Sequence, residues 1–149
     1  MGYTHYWYQK EIPAERWPLI AADARKLIDA AQKDGIKLLL EYNDPRSRPQ
    51  INDEIIRFNG AGGEGHETFL LVRDQDPGRR GDGFAFTKTA NKPYDRVVCA
   101  ILARARHHAP DYIRVSSDGD ERDWHDHLAW AAKVLGEPVA FPVTADEDA

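Results

Sequence analysis

The chain has 149 residues, 42% of them hydrophobic and 30% charged, with a formal net charge of −5. A single cysteine, Cys99, excludes an internal disulfide and fits a reducing compartment. No apolar run reaches the roughly 18–20 residues of a membrane span, and the acidic balance argues against a general nucleic-acid binder, whose affinity comes from Lys and Arg on phosphates.

The first element is a strand over Gly2–Lys10, rich in Tyr, Thr and Trp. Alternation puts Tyr3, His5 and Trp7 on one face and Thr4, Tyr6 and Tyr8 on the other. Pro18 suits a first helical turn, and Trp17, Ile20, Ala24, Leu27, Ile28 and Ala31 recur at helical spacing, so a helix is predicted over about Trp17–Lys33. Asp34-Gly35 ends it. A strand follows over Ile36–Tyr42, with Leu38-Leu39-Leu40 reading as covered on both faces. After a polar loop to Asn52 come strands at Ile55–Phe58 and His66–Arg73, joined by the glycine-rich Gly60–Gly65 segment. Asp74–Asp82 is a second loop, and Gly83–Thr87 a further strand.

Pro93–His108 reads as a helix with a wide apolar face at Val97, Val98, Ile101, Leu102 and Ala105. Arg104, Arg106, His107 and His108 lie near its C-terminus, where cations are favoured. Tyr112–Ser116 is a strand. Asp118 with Glu121 resembles a capping box for a last helix carrying Trp124, Leu128, Ala131 and Leu135. The expected order is β-α-β-β-β-β-α-β-α: an α+β class, a single layer of mixed or antiparallel sheet with about three helices on one face. Residues 1–143 are expected to form one globular domain and the acidic tail 144–149 to be disordered.

The turn Lys88-Thr89-Ala90-Asn91-Lys92-Pro93-Tyr94-Asp95 hands a strand to a helix. Unpaired N–H groups and the dipole make such an N-terminus a site for an anion, with Lys88, Lys92 and Thr89 alongside. The competing reading is two solvated lysines with Asn91 or Thr89 as the cap. Arg79 and Arg80 would extend the basic patch. The Gly60–Gly65 loop lacks the Lys-Ser/Thr and following helix of a P-loop, so it reads as a hairpin tip or a lid rather than a phosphate cradle.

Metal chemistry has little support: His125 and His127 point apart on a helix, no H-E-x-x-H occurs, and no metal or cofactor is expected. His5 reads as an internal, hydrogen-bonded histidine, and Cys99 as a small hydrophobe. No nucleophile elbow is present, and Ser117-Asp118 is accounted for by helix capping.

The opening Met1-Gly2-Tyr3-Thr4-His5-Tyr6-Trp7, the Lys88–Asp95 turn and Ser117-Asp118-Gly119, with Phe58-Asn59-Gly60 and Glu67-Thr68-Phe69, resemble an uncharacterised family of small proteins of bacteria, bacteriophages and some fungi. The similarity runs from residue 1 to about residue 135. It implies one compact domain, a cytoplasmic or mobile-element setting, and convergence of the opening strand, Glu67, the lysine turn and Ser117-Asp118 on one pocket.

These readings lead to an expected binder of a small anionic ligand, a nucleotide or nucleotide-derived signal, held by Lys88, Thr89, Lys92, Tyr94, Tyr3, His5, Trp7, Glu67, Ser117 and Asp118. No membrane partner is expected, and a homo-oligomer stays open. The alternatives are a phosphoester hydrolase using His5, Glu67 or Asp118, and a protein-interaction module working through its aromatic strand face.

Overall fold

β1 (Thr4–Gln9) is the central strand of a three-stranded antiparallel sheet, flanked by β6 (Phe84–Lys88) and β7 (Ile113–Ser117). The structure is a computed structural model and describes residues 2–74 and 83–143. Arg79, Arg80 and the acidic tail lie outside the described residues. A second antiparallel sheet is built on β4 (Ile55–Gly60), which pairs with β2 (Leu38–Leu39), β3 (Gln50–Ile51) and β5 (Phe69–Val72). Three helices complete the α+β fold: α1 (Trp17–Lys33), α2 (Asp95–His108) and α3 (Glu121–Leu135). The order follows the sequence reading, with the two-residue β3 added.

The helices form where the apolar stripes predict. Trp17, Ile20, Ala24, Leu27, Ile28 and Ala31 are all buried on α1, and the Trp17 indole N–H donates to the Asn52 carbonyl at 2.8 Å, fastening α1 to the β3–β4 turn. α2 is buried from Val97 through Ala105. Arg104, expected as a helix-end cation, is instead 3% exposed and pairs with Asp23 at 2.8 Å and Glu137 at 3.1 Å. α3 stops at Gly136, whose φ of 76° is the left-handed cap that glycine favours.

Two local expectations are corrected. The capping box of α3 is Asp120 with Asp123, each side chain bonding the other's backbone N–H. Asp118 is turned elsewhere. Leu38-Leu39-Leu40 forms a strand of two residues because the Leu40 and Glu41 N–H groups donate to the Ser47 hydroxyl instead of a ladder partner. Leu38 is buried, while Leu39 and Leu40 are half-buried.

The glycine-rich tip is tied down. Asn59 accepts from the N–H groups of Gly60 and His66 and donates to the His66 carbonyl, while Gly62 N–H bonds the Tyr42 carbonyl. Gly65 has no room for a side chain, since a Cβ there would overlap the Gly60 carbonyl and the Asn59 amide. Among the described residues no helix is long and apolar enough to cross a membrane.

Candidate functional site

Alternation along β1 divides the site residues between two environments. His5 and Trp7 face the helices and are fully buried; Thr4, Tyr6 and Tyr8 face outward with Phe84, Phe86 and Lys88 of β6. Trp7 packs on Phe69 with ring centroids 5.6 Å apart. It is core, not the wall of an open groove.

His5 lies at the centre of a polar hub. Its Nε2 is 2.6 Å from Asp95 Oδ1 on α2, and its Nδ1 is 2.8 Å from Ser117 Oγ on β7. Ser117 Oγ already accepts from Gly119 N–H at 2.9 Å and from the Trp124 indole N–H at 3.2 Å. The Ser117 proton is then donated to His5 Nδ1, which leaves the imidazole proton on Nε2, facing Asp95. Asp95 also receives the Thr89 hydroxyl at 2.6 Å and the Cys99 thiol at 3.5 Å, and His127 Nε2 stands 3.4 Å from its second oxygen. Cys99 Sγ is 3.5 Å from His5 Nε2.

The electrostatics follow from this packing. Burial pushes the Asp95 carboxyl up, but hydrogen bonds from His127, His5 and Thr89 outweigh it and hold Asp95 well below the usual carboxylate range. Burial, reinforced by Asp95, pushes the Cys99 thiol and the Tyr3 phenol up.

Around the hub, hydrogen bonds tie together the opening strand, Glu67, the lysine turn and Ser117-Asp118. The Tyr3 carbonyl accepts from Thr89 and Ala90 N–H. Lys88 N–H donates to the Glu67 carboxylate at 2.7 Å, and the Tyr94 hydroxyl to the Glu67 carbonyl. Asp118 accepts from Thr4 N–H at 3.0 Å and from the Tyr6 hydroxyl at 3.1 Å. Gly119 is needed there because a Cβ would overlap the Tyr3 ring and hydroxyl. These contacts join Tyr3, His5, Glu67, Lys88, Thr89, Tyr94, Ser117 and Asp118, but through their own hydrogen bonds. Tyr94, Thr89 and His5 are fully buried.

The lysine turn is not an open anion nest. Ala90 and Asn91 are left-handed, with φ of 52° and 58°, and the first N–H groups of α2 are taken up locally: Asp95 N–H by the Lys92 carbonyl, Val97 and Val98 N–H by the Tyr94 carbonyl. The Lys88 and Lys92 ammonium groups have no carboxylate partner among the described residues.

A cationic groove missed in the sequence lies elsewhere. A cavity of about 690 Å³ between α1 and the β2–β3 loop is lined by Arg25, Lys37, Arg46 and Arg48, with Ile28, Leu38, Pro49 and Ile51 as apolar wall. Its one carboxylate among the described residues, Asp29, is engaged by Lys33 at 3.1 Å. The side-chain cations of Lys37, Arg46 and Arg48 have no carboxylate partner among the described residues. A neighbouring cavity of about 350 Å³ shares Lys37 and Ala61 and reaches Pro93 and Tyr94, beside the lysine turn. The available signal was the Pro45-Arg46-Ser47-Arg48-Pro49 loop, two arginines held between prolines.

No family model, curated protein or solved structure matches this chain. The functional reading therefore comes from the site itself.

Proposed function

We propose that the protein binds a small phosphate-bearing ligand, of the class of a nucleotide or nucleotide-derived signal, in the cationic groove. The observation that carries this is the convergence of Arg25, Lys37, Arg46 and Arg48 on one cavity of about 690 Å³ in a chain of net charge −5. That volume lies within the range of small-molecule sites. Arginine forks match phosphate oxygens in pairs, and lysine adds a point charge. Ile28, Leu38, Pro49 and Ile51 offer an apolar side for a base or sugar. The phosphoester-hydrolase alternative is less favoured, because His5 is fully buried and the Glu67 and Asp118 carboxylates already accept from backbone N–H groups.

The test is thermal shift and calorimetry with pyrophosphate, ADP and cyclic dinucleotides against adenosine. Stabilisation by phosphate-bearing compounds alone is expected, as mass action requires of a native-state ligand. The Arg46→Ala/Arg48→Ala double variant should lose at least tenfold in affinity while the apo melting temperature stays put. Equal response to adenosine, or unchanged affinity in the double variant, rejects the reading.

A second reading, a protein-interaction module, is favoured by Phe86, which is 54% exposed on the outer face of the three-stranded sheet. Partner capture lost on Phe86→Ser, with no response to any anion, would select it.

A further inference from the structure

Among the described residues, one group of His, Cys and Asp side chains has metal-ligand composition and spacing: His5, Asp95 and Cys99, whose ligand atoms all lie within 4.8 Å of one another. We propose that this hub is a transition-metal site of the zinc class, with His5 Nε2, Asp95 and Cys99 Sγ as ligands and His127 Nε2, which lies outside that group but 3.4 Å from Asp95 Oδ2, turning in as the fourth.

The geometry fits in three respects. In a tetrahedral zinc site with bonds of about 2.0–2.3 Å, ligand atoms stand about 3.3–3.6 Å apart. Cys99 Sγ is 3.5 Å from His5 Nε2 and 3.5 Å from Asp95 Oδ2, and His127 Nε2 is 3.4 Å from Asp95 Oδ2. Asp95 and Cys99 are one helical turn apart on α2, so a rigid element presents both. The His5–Asp95 Oδ1 contact, at 2.6 Å, is a hydrogen bond that the ion would replace.

Second, the outer contacts are those that orient ligands. His5 Nδ1 is held by Ser117, which is itself fixed by Gly119 and Trp124; the Thr89 hydroxyl holds Asp95. Such partners set ring orientation and commonly change metal affinity by about 10–100-fold when removed. Thr87, the cross-strand neighbour of His5, adds a buried hydroxyl without a partner in the structure.

Third, charges and protons balance. With the metal on Nε2, the His5 proton moves to Nδ1 and is donated to Ser117 Oγ, which turns its own hydroxyl proton away and gives up its longer contact, with the Trp124 indole N–H at 3.2 Å, to accept it. Cys99 releases its proton to solvent. The His127 proton moves from Nε2 to Nδ1, which ends the acceptance there of the Arg96 Nε–H at 3.3 Å, and Arg96 stays over the Trp130 ring. Thiolate and carboxylate then neutralise a divalent ion. His127 is 20% exposed, while His5 is fully buried, so entry is from the α3 side.

The test is Co(II) titration of the purified, metal-stripped full chain, followed by Zn(II) displacement and native mass spectrometry. The expected result is one Co(II) per chain, with a thiolate-to-cobalt charge-transfer band and the intense visible bands of tetrahedral Co(II), all removed by one equivalent of Zn(II). Cys99→Ser should lose the charge-transfer band, and Ser117→Ala should bind about 10–100-fold more weakly. His127→Gln, at a partly exposed position, tests the fourth ligand without disturbing the core and should weaken binding at least tenfold. The Arg46→Ala/Arg48→Ala groove variant should give the wild-type spectrum. A cooperatively folded wild-type protein that retains no metal and develops no cobalt bands overturns the proposal, as does a spectrum unchanged in Cys99→Ser.

Discussion

His5 and Asp95 stand 2.6 Å apart in the interior although 90 residues separate them along the chain. The contact joins the central strand of one sheet to the first turn of α2. It matters energetically because Asp95 is a buried carboxylate, and everything around it is arranged to donate: imidazole, hydroxyl and thiol. Removing the acceptor strands those donors. Asp95→Ala is expected to cost about 3–5 kcal/mol, measured by denaturant unfolding.

The same residue sets an acid limit. Asp95 is held below the ordinary carboxylate range, so the folded chain stays ionised where the unfolded aspartate, at about 3.9, takes up a proton. Its stabilisation is fully present above the unfolded value and is lost as pH falls through the folded one. Between about pH 5 and pH 2 the wild-type melting temperature should fall more steeply than that of Asp95→Asn. Parallel curves would show that Asp95 contributes no such linkage.

Gly119 and Tyr3 share one space. A methyl group at Gly119 would overlap the Tyr3 hydroxyl. Gly119→Ala should cost about 1–3 kcal/mol as an overpacked site. Tyr3→Phe in the same chain removes the overlapping atom and should recover part of that loss. A double variant that is merely additive would place the strain elsewhere.

The identity of the α3 cap separates sequence reading from structure. Asp120, not Asp118, accepts the Asp123 N–H. Asp120→Ala should lower stability through loss of the cap. Asp118→Ala should instead act on the β1 end, through Thr4 and Tyr6. Hydrogen exchange distinguishes the two, with faster exchange at the start of α3 in the first variant and at Thr4 in the second.

Ligand stabilisation in the groove should be sensitive to salt. Arg46, Arg48 and Lys37 are exposed, so their attraction to phosphate is screened. The thermal shift produced by pyrophosphate should shrink steadily as sodium chloride is raised. A salt-independent shift would point to a desolvated site instead.

The helices were legible because their information is local. The α1 stripe from Trp17 to Ala31 is a periodicity carried within one segment, and all its members are buried. Leu38–Leu40 was less legible, because the Ser47 hydroxyl that shortens the strand sits seven residues beyond Leu40. The hub was hidden for a stronger version of that reason: Ser117 lies 112 residues from His5 and Cys99 lies 94 residues from it. Cys99 reads as a small hydrophobe because its sequence neighbours are apolar, and only its helical spacing from Asp95 hinted at a polar face. The groove arginines come from a loop and a helix with no common motif, so charge alone did not bring them together.

The position of β1 also fixes when the fold can form. β1 is flanked by β6 and β7, so both of its edges are completed by residues that follow Gly83 in the sequence. During synthesis the strand emerges before either of its neighbours. Its unpaired edges and its aromatic residues then wait until the chain past Phe84 has been made, a state prone to wrong pairing. Such long-range closure also slows folding. A nascent chain stalled before β7 should therefore lack the native sheet, however well α1 has already formed.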